Sequence, residues 1–181
     1  MKQLPLEEFS GIVVVEPKIF GDRRGFFLET FQKQRYEALG ITADFVQQNL
    51  SRSCQDTLRG LHYQLEQPQG KICYVIRGKI FDVFVDLRKN SNTFGCWGSV
   101  VLDDEERRQV YIPAGYAHGF CVLSEEADFV YHCTDYYAPE SEHTIQWDDA
   151  ELNIDWPCEK PLLSEKDKQG TPFAEACYYE S

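Results

Sequence analysis

Apolar residues along this chain fall in short runs that alternate with polar positions and are cut by Gly, Pro and acidic clusters. Residues 1–20 read as two short strands, with Gly11–Val15 the clearest run and Pro17 ending it. Gly21 and Asp22 form a turn signal, and Arg24 leads into an aromatic strand that ends at Glu29. Gln32–Leu39 is the best helical candidate ahead of the C-terminus, with Tyr36 and Leu39 on one side and Gly40 as its cap. Strand pattern resumes at Phe45–Asn49 and dominates from Arg59 onward. Lys71–Arg77 and Lys79–Leu87 flank Gly78 as a hairpin or bend. Phe94–Leu102 continues the sheet, and residues 103–108 make a charged turn. Gln109–Phe120 turns at Pro113 and Gly115 and resumes at His118, and Cys121–Leu123 with Ala127–Cys133 read as the next hairpin. Residues 135–142 are loop, 141–146 re-enter the sheet, and a short helix starts within Pro161–Asp167. Many short strands, Gly/Pro turns and a few short helices predict an all-β fold, a jelly-roll β-barrel.

Alternation adds detail in Lys79–Leu87. Phe81, Val83, Val85 and Leu87 share one face, while Asp82 and Asp86 share the other with Ile80 and Phe84. A carboxylate among large apolar residues needs a partner, and histidine or lysine is the usual solution. Glu29, at the end of an apolar run, raises the same question.

Composition narrows the classes. A hydrophobic content of 43% and an aromatic content of 14% exclude disorder and favour sheet. A formal charge of −12 argues against a nucleic-acid partner, which needs clustered Lys and Arg, but leaves room for a small anion held by a few local cations. Seven cysteines, odd in number and never spaced C-x-x-C, read as reduced thiols rather than a disulfide framework or zinc site. The first apolar run, Ile12–Val15, is too short for a signal or membrane segment and is followed by Glu16. These readings predict a soluble, cytoplasmic protein with no membrane partner.

The stretch Arg59–Gln64 concentrates chemistry: a fixed cation, a glycine and His62 within six residues. The imidazole there is a base, a metal ligand or a buried packing residue. Pro113, Gly115 and His118 resemble the second motif of the cupin superfamily. Metal-binding cupins supply His-x-His and an acid in their first motif, whereas this chain has His62, Tyr63 and Gln64 and no Glu at the matching offset. A glutamine amide there removes donors that iron, manganese or zinc require, so no metal is expected. An imidazole with an ordinary pKa of ~6.5 then suits proton abstraction, with Arg59, Lys71 and Asp82 as polar neighbours.

Six stretches carry a more specific resemblance: Gly21–Glu29, Leu58–Gln64, Gly70–Lys71, Ile80–Arg88, Ile112–Phe120 and Tyr136–Tyr137. In order, from about residue 11 to about residue 167, they resemble the dTDP-4-dehydrorhamnose 3,5-epimerase family. The resemblance implies a single cupin-like epimerase domain spanning residues 1–181. It implies 3,5-epimerisation of a nucleotide-linked 4-keto-6-deoxyhexose in polysaccharide biosynthesis, without a cofactor. By resemblance His62 is the base, with Asp167 fixing its tautomer; Ser164 and Asp167 also fit a helix capping box. Lys71 matches the lysine near the enolate oxygen, and Tyr131 the proton donor, a phenol protonated at neutral pH. Asp82 and His118 would complete the polar wall. Arg24, Arg59 and Lys166 match positions that hold the diphosphate or nucleotide. Glu29, Gln47, Gln48, Asn49 and Glu142 match further contacts to the nucleotide-sugar substrate, and Tyr137 the aromatic that stacks on the base.

One departure is His132, where the family commonly has lysine after the tyrosine. Strand alternation puts residue 132 on the face opposite Tyr131. A sibling inverting only C3 or only C5, or acting on a GDP- or CDP-linked sugar or a heptose, shares the same residues, and a non-catalytic sugar-binding cupin is the reading from another class. The resemblance also implies a homodimer, formed in the family often by exchange of N-terminal strands, and leaves open whether Arg24 and Glu29 serve their own site or the neighbour's.

Overall fold

The computed structural model describes residues 1–4 and 8–180. Its strands are β1 (Lys2–Leu4), β2 (Val13–Glu16), β3 (Phe20–Asp22), β4 (Gly25–Phe27), β5 (Gln47–Cys54), β6 (Leu58–Gln64) and β7 (Lys71–Arg77). They continue as β8 (Lys79–Asp86), β9 (Trp97–Asp103), β10 (Gln109–Ile112), β11 (Tyr116–Val122), β12 (Glu126–Cys133) and β13 (Glu142–Thr144). Two short helices, α1 (Lys33–Glu37) and α2 (Glu165–Lys168), complete the regular structure with two 3-10 turns. The main strands form two antiparallel sheets, ordered β1-β2-β10-β7-β12-β5 and β13-β6-β11-β8-β9, and β3 pairs with β4 in a separate two-stranded sheet. This is the all-β jelly roll that the strand pattern predicts.

Two predicted hairpins are not hairpins. β7 pairs with β10 and β12, whereas β8 pairs with β9 and β11, so Gly78 carries the chain from one sheet to the other. Its φ of +82° and the 2.1 Å that would separate a Cβ from Glu126 O require glycine at this bend. β11 and β12 likewise lie in different sheets. Local spacing reports where a strand ends but not which sheet receives the next one. The aromatic strand stops at Phe27, short of Glu29, and the first helix ends two residues earlier than its pattern suggests, at Glu37 rather than Leu39.

Three apolar clusters explain why some strands read as unbroken hydrophobic runs. The barrel interior collects Val14, Val75, Ile80, Phe84, Leu102, Phe120 and Phe129. Val13 and Val15 point the other way, into a cluster with Tyr36, Ile41, Ile72, Tyr74 and Val130 beneath α1. On the far side Val83, Val85 and Leu87 pack with Leu61, Ile145, Leu152 and Phe173 from the C-terminal segment. A strand covered on both faces has no polar face to show, as in a sheet with layers on both sides. Each fully buried Leu or Phe contributes about 2 kcal/mol in area terms.

The C-terminal segment also positions chemistry. Leu162 N donates to Asp56 O at 2.8 Å and Leu58 N to Leu162 O at 3.1 Å. Beyond α2, Thr171 N donates to Thr144 O at 2.8 Å and Gln146 N to Thr171 O at 3.0 Å. α2 is therefore pinned on both sides, by Leu162 beside the start of β6 and by Thr171 beside the end of β13. No helix among the described residues is long and apolar enough to cross a membrane.

Candidate active site

A cavity of about 330 Å³ opens between the two sheets. β5, β7 and β12 of one sheet contribute Gln47, Asn49, Lys71 and Tyr131; β6 and β11 of the other contribute Arg59, His62 and His118. Tyr137, Glu142 and Lys166 line it as well. Strand alternation turns Gln47 and Asn49 inward together, since residues i and i+2 share a face. Arg59 and His62, three apart on β6, share the cavity because the pairing of β6 with β11 shifts register between His118 and Phe120.

His62 sits where β6 bends against β11. Gly60 has a φ of +126°, and a Cβ there would lie 2.5 Å from Gly119 Cα, so only glycine permits this approach. His62 Nε2 lies 2.7 Å from Asp167 Oδ1, which also accepts from Gly60 N at 3.1 Å. Asp167 Oδ2 accepts from Ser164 Oγ at 2.5 Å and Ser164 N at 3.3 Å, while Asp167 N donates to Ser164 Oγ at 3.2 Å. The dyad and the capping box are thus both present, one oxygen each. Burial pushes the Asp167 carboxyl up, but donors from His62, Ser164 and Gly60 outweigh it and hold it at about 2. Burial lowers the His62 pKa and Asp167 only partly restores it, leaving a neutral imidazole at pH 7.

Tyr131 faces this dyad from the opposite sheet, its ring centroid 5.5 Å from that of Phe129. Burial pushes its phenol up to about 12, so it keeps its proton through neutral pH. Its neighbour His132 does point away, stacked on Phe31 and Tyr74 with Gln48 at 3.3 Å.

Arg59 donates to Ser53 Oγ at 3.1 Å. Neither Arg59 nor Lys71 forms an ion pair with a carboxylate among the described residues. Two cations without ion-pair partners on a cavity wall suit an anionic ligand. Lys166 Nζ instead meets Glu142 Oε1 at 2.8 Å, and Tyr137 Oη donates to Glu142 Oε2 at 2.8 Å. Burial raises the Glu142 pKa, but these two donors more than offset it and keep the carboxylate ionised.

Two sequence expectations need correction, at Asp82 and Gln48. Asp82 does not line the cavity: it is wholly buried behind His118, whose Nε2 lies 2.9 Å from Asp82 Oδ2. Gln48 lies on the outer face of β5, because alternation that turns Gln47 and Asn49 inward must turn Gln48 out. Arg24 pairs with Asp22 at 2.6 Å on the exposed β3–β4 hairpin, and Glu29 pairs with Arg35 at 2.9 Å. Neither reaches the cavity of its own chain. Lys71 faces His62 across the cavity from the other sheet.

The cavity also holds residues that sequence reasoning passed over. Ser51 continues the inward row of Gln47 and Asn49, and its buried Oγ has no partner among the described residues. Phe120 and Phe129, ring centroids 4.6 Å apart, form an apolar floor. Alternation carried the signal for all three, since Ser51 lies two residues after Asn49, Phe120 two after His118 and Phe129 two before Tyr131.

The family model for dTDP-4-dehydrorhamnose 3,5-epimerase matches residues 7–175. A Pseudomonas aeruginosa protein described as dTDP-4-dehydrorhamnose 3,5-epimerase is 54% identical over 91% of this chain and 92% of its own. The crystal structure of a Legionella pneumophila dTDP-6-deoxy-D-glucose-3,5-epimerase, in complex with dTDP-4-keto-L-rhamnose, superposes with a TM-score of 0.96. It is 49% identical, over 99% of this chain and 98% of that one. A Streptomyces niveus dTDP-4-dehydrorhamnose 3-epimerase is 43% identical over 92% of this chain and 82% of its own. The chain belongs to the dTDP-4-dehydrorhamnose 3,5-epimerase family, a family of isomerases with a cupin-type jelly roll.

Proposed function

We propose that this protein inverts C3 and C5 of dTDP-4-dehydro-6-deoxy-D-glucose to give dTDP-4-dehydro-L-rhamnose. The observation that carries the reading is the placement of His62, with its Asp167 partner, and Tyr131 on facing sheets around one cavity. Inversion at a carbon next to a ketone needs a proton taken from one face and another returned to the opposite face. The ketone acidifies both neighbouring C–H bonds, so neutral His62 removes the proton and the charge passes to the carbonyl oxygen as an enolate. Lys71, with His118 nearby, stabilises that oxygen as charge develops. Tyr131 delivers a proton to the other face. The imidazolium formed on His62 is held by a carboxylate whose own pKa is about 2.

Arg59 and Lys166 take the diphosphate, Gln47, Asn49 and Glu142 make further polar contacts, and Tyr137 stacks on the base. The reaction as drawn uses protein groups alone, because the carbonyl itself stores the charge. A homodimer completes the site: the β3–β4 hairpin exposes Phe20, Phe26 and Phe27 at 52%, 55% and 69%, an apolar face suited to a second copy. Arg24 and Glu29 then reach the partner's nucleotide. The seven free thiols fit a reducing, cytoplasmic setting.

Incubation with dTDP-4-dehydro-6-deoxy-D-glucose in deuterated water, read by proton NMR, tests the assignment. Deuterium entering at both C3 and C5 is the expected result. Exchange at C3 alone selects the narrower activity named for the Streptomyces niveus relative, and no exchange at either carbon contradicts the reading.

A further inference from the structure

Gln64 lies two residues beyond His62 on β6 and is only 4% exposed. Its side chain is wholly committed to backbone. Nε2 donates to Gln67 O at 2.8 Å and Tyr136 O at 3.1 Å, and Oε1 accepts from Ala138 N at 2.9 Å. Two carbonyls and one N–H fix the amide orientation, since a flipped amide would set oxygen against oxygen.

These partners belong to two loops, residues 65–70 after β6 and 134–138 after β12. The loops are tied again by Gln69 Nε2 to Asp135 O at 2.8 Å, Gly70 N to Thr134 Oγ1 at 2.8 Å and Thr134 N to Gly70 O at 2.9 Å. Gln64 grips the second loop on both sides of Tyr137, through Tyr136 O and Ala138 N. Tyr137 itself is 51% exposed at the cavity mouth and belongs to no core cluster. Polar ties place it: the Gln64 bonds to its neighbours, its N–H to Gln47 Oε1 at 2.9 Å, and its hydroxyl to Glu142.

We propose that Gln64 is a positioning residue for nucleotide binding, whose amide holds Tyr136–Ala138 so that Tyr137 presents its ring to the base. The proposal rests on the reading of Tyr137 as the stacking residue. A half-exposed ring gains stacking affinity only if it is already held in place, because ordering it on binding costs side-chain and loop entropy. His62 is bonded to Asp167 rather than to Gln64, so loosening the loop should spare the chemical step. Loss of the Gln64 amide therefore weakens nucleotide binding while leaving turnover largely intact.

The test is a double-mutant cycle on the intact protein, reading the Kd for dTDP by calorimetry and kcat and KM for the keto sugar nucleotide. Gln64→Met keeps the length of the side chain without its hydrogen bonds. It should raise Kd about tenfold, raise KM in step and leave kcat within about threefold. Added to Tyr137→Ala, it should change Kd less than twofold, because the ring it positions is gone. Unchanged Kd in Gln64→Met, full additivity in the double variant, or a fall in kcat without a change in Kd each overturns the positioning role. If Tyr137→Ala alone leaves Kd unchanged, the stacking reading fails instead, and a Kd still raised by Gln64→Met then places its action elsewhere and overturns the route through Tyr137. Should Gln64→Met fail to fold, Gln64→Glu supplies the comparison. Its carboxyl donates only when protonated, so Kd relative to wild type should recover from pH 8 to pH 5, and a flat ratio contradicts the proposal.

Discussion

Two histidine–carboxylate pairs stand side by side in this barrel and differ in almost everything except composition. His62 and His118 are paired positions on neighbouring strands, and each has a carboxylate oxygen within 2.9 Å. The Asp167 carboxylate arrives from outside the barrel on α2, and both its oxygens are satisfied by donors. The Asp82 carboxylate comes from β8 inside the barrel, and its Oδ1 has no partner among the described residues. The His62 side chain is 22% exposed toward the cavity, whereas that of His118 is 8% exposed and stacks on Phe129. A base must reach substrate and have its protonated form stabilised. Only the first pair offers a reachable ring and a fully hydrogen-bonded counter-charge; the second makes a fixed wall.

The largest expected effect separates the two pairs outright. His62→Ala should lower kcat by about 10³-fold, within the range for a general base, and leave the Kd for dTDP within about threefold in calorimetry. His118→Asn should cost no more than about 30-fold in kcat. Equal losses for the two variants would erase the distinction.

Replacing the carboxylates comes next. Asp167→Asn should lower kcat by about 30-fold and destabilise the fold by about 1–2 kcal/mol in urea, since charge-assisted bonds to His62 and the cap are weakened. Asp82→Asn should keep a bond to His118 while removing a buried charge with an unpaired oxygen. Its stability should stay within about 1 kcal/mol of wild type.

Titration gives the smallest effects and the sharpest signs. The Asp167 pKa is depressed to about 2 from 3.8, so its stabilisation is present above pH ~3.8 and is lost as pH falls toward 2. Acid unfolding of wild type should show that loss, and Asp167→Asn should lack it. The His62 pKa lies below its ordinary 6.5, so the acid limb of kcat/KM should fall below pH 6.5. With Tyr131 held up to about 12, no basic limb should appear before pH 9. An acid limb above 6.5 would argue that His62 is not the group titrating.

Much of this contrast was legible in the sequence. Alternation alone put Asp82 on the face with Ile80 and Phe84 and demanded a partner, and His118 is that partner. The same rule put His132 behind Tyr131, and, applied to Gln47–Asn49, it excludes Gln48 from the cavity. What spacing could not supply was long-range. Asp167 meets His62 across 105 residues because bonds at Leu162 and Thr171 pin the C-terminal segment against β6 and its neighbour β13. The transfer of β8 to the second sheet depends on a backbone bend at Gly78, which local pattern reads equally well as a hairpin. Arg24 and Glu29 carry family spacing but do not reach the cavity of their own chain, and pair with Asp22 and Arg35 instead.

Inversion requires two groups acting on opposite faces of one sugar, and Tyr131→Phe tests that most directly. The variant should be followed by proton NMR in deuterated water, scoring deuterium at C3 and C5 separately from inversion. With His62 still abstracting and no donor opposite, exchange should outpace inversion by about tenfold or more at the carbon Tyr131 serves. Exchange and inversion falling together at both carbons, in a variant that still binds dTDP as wild type does, would contradict the division of labour between His62 and Tyr131.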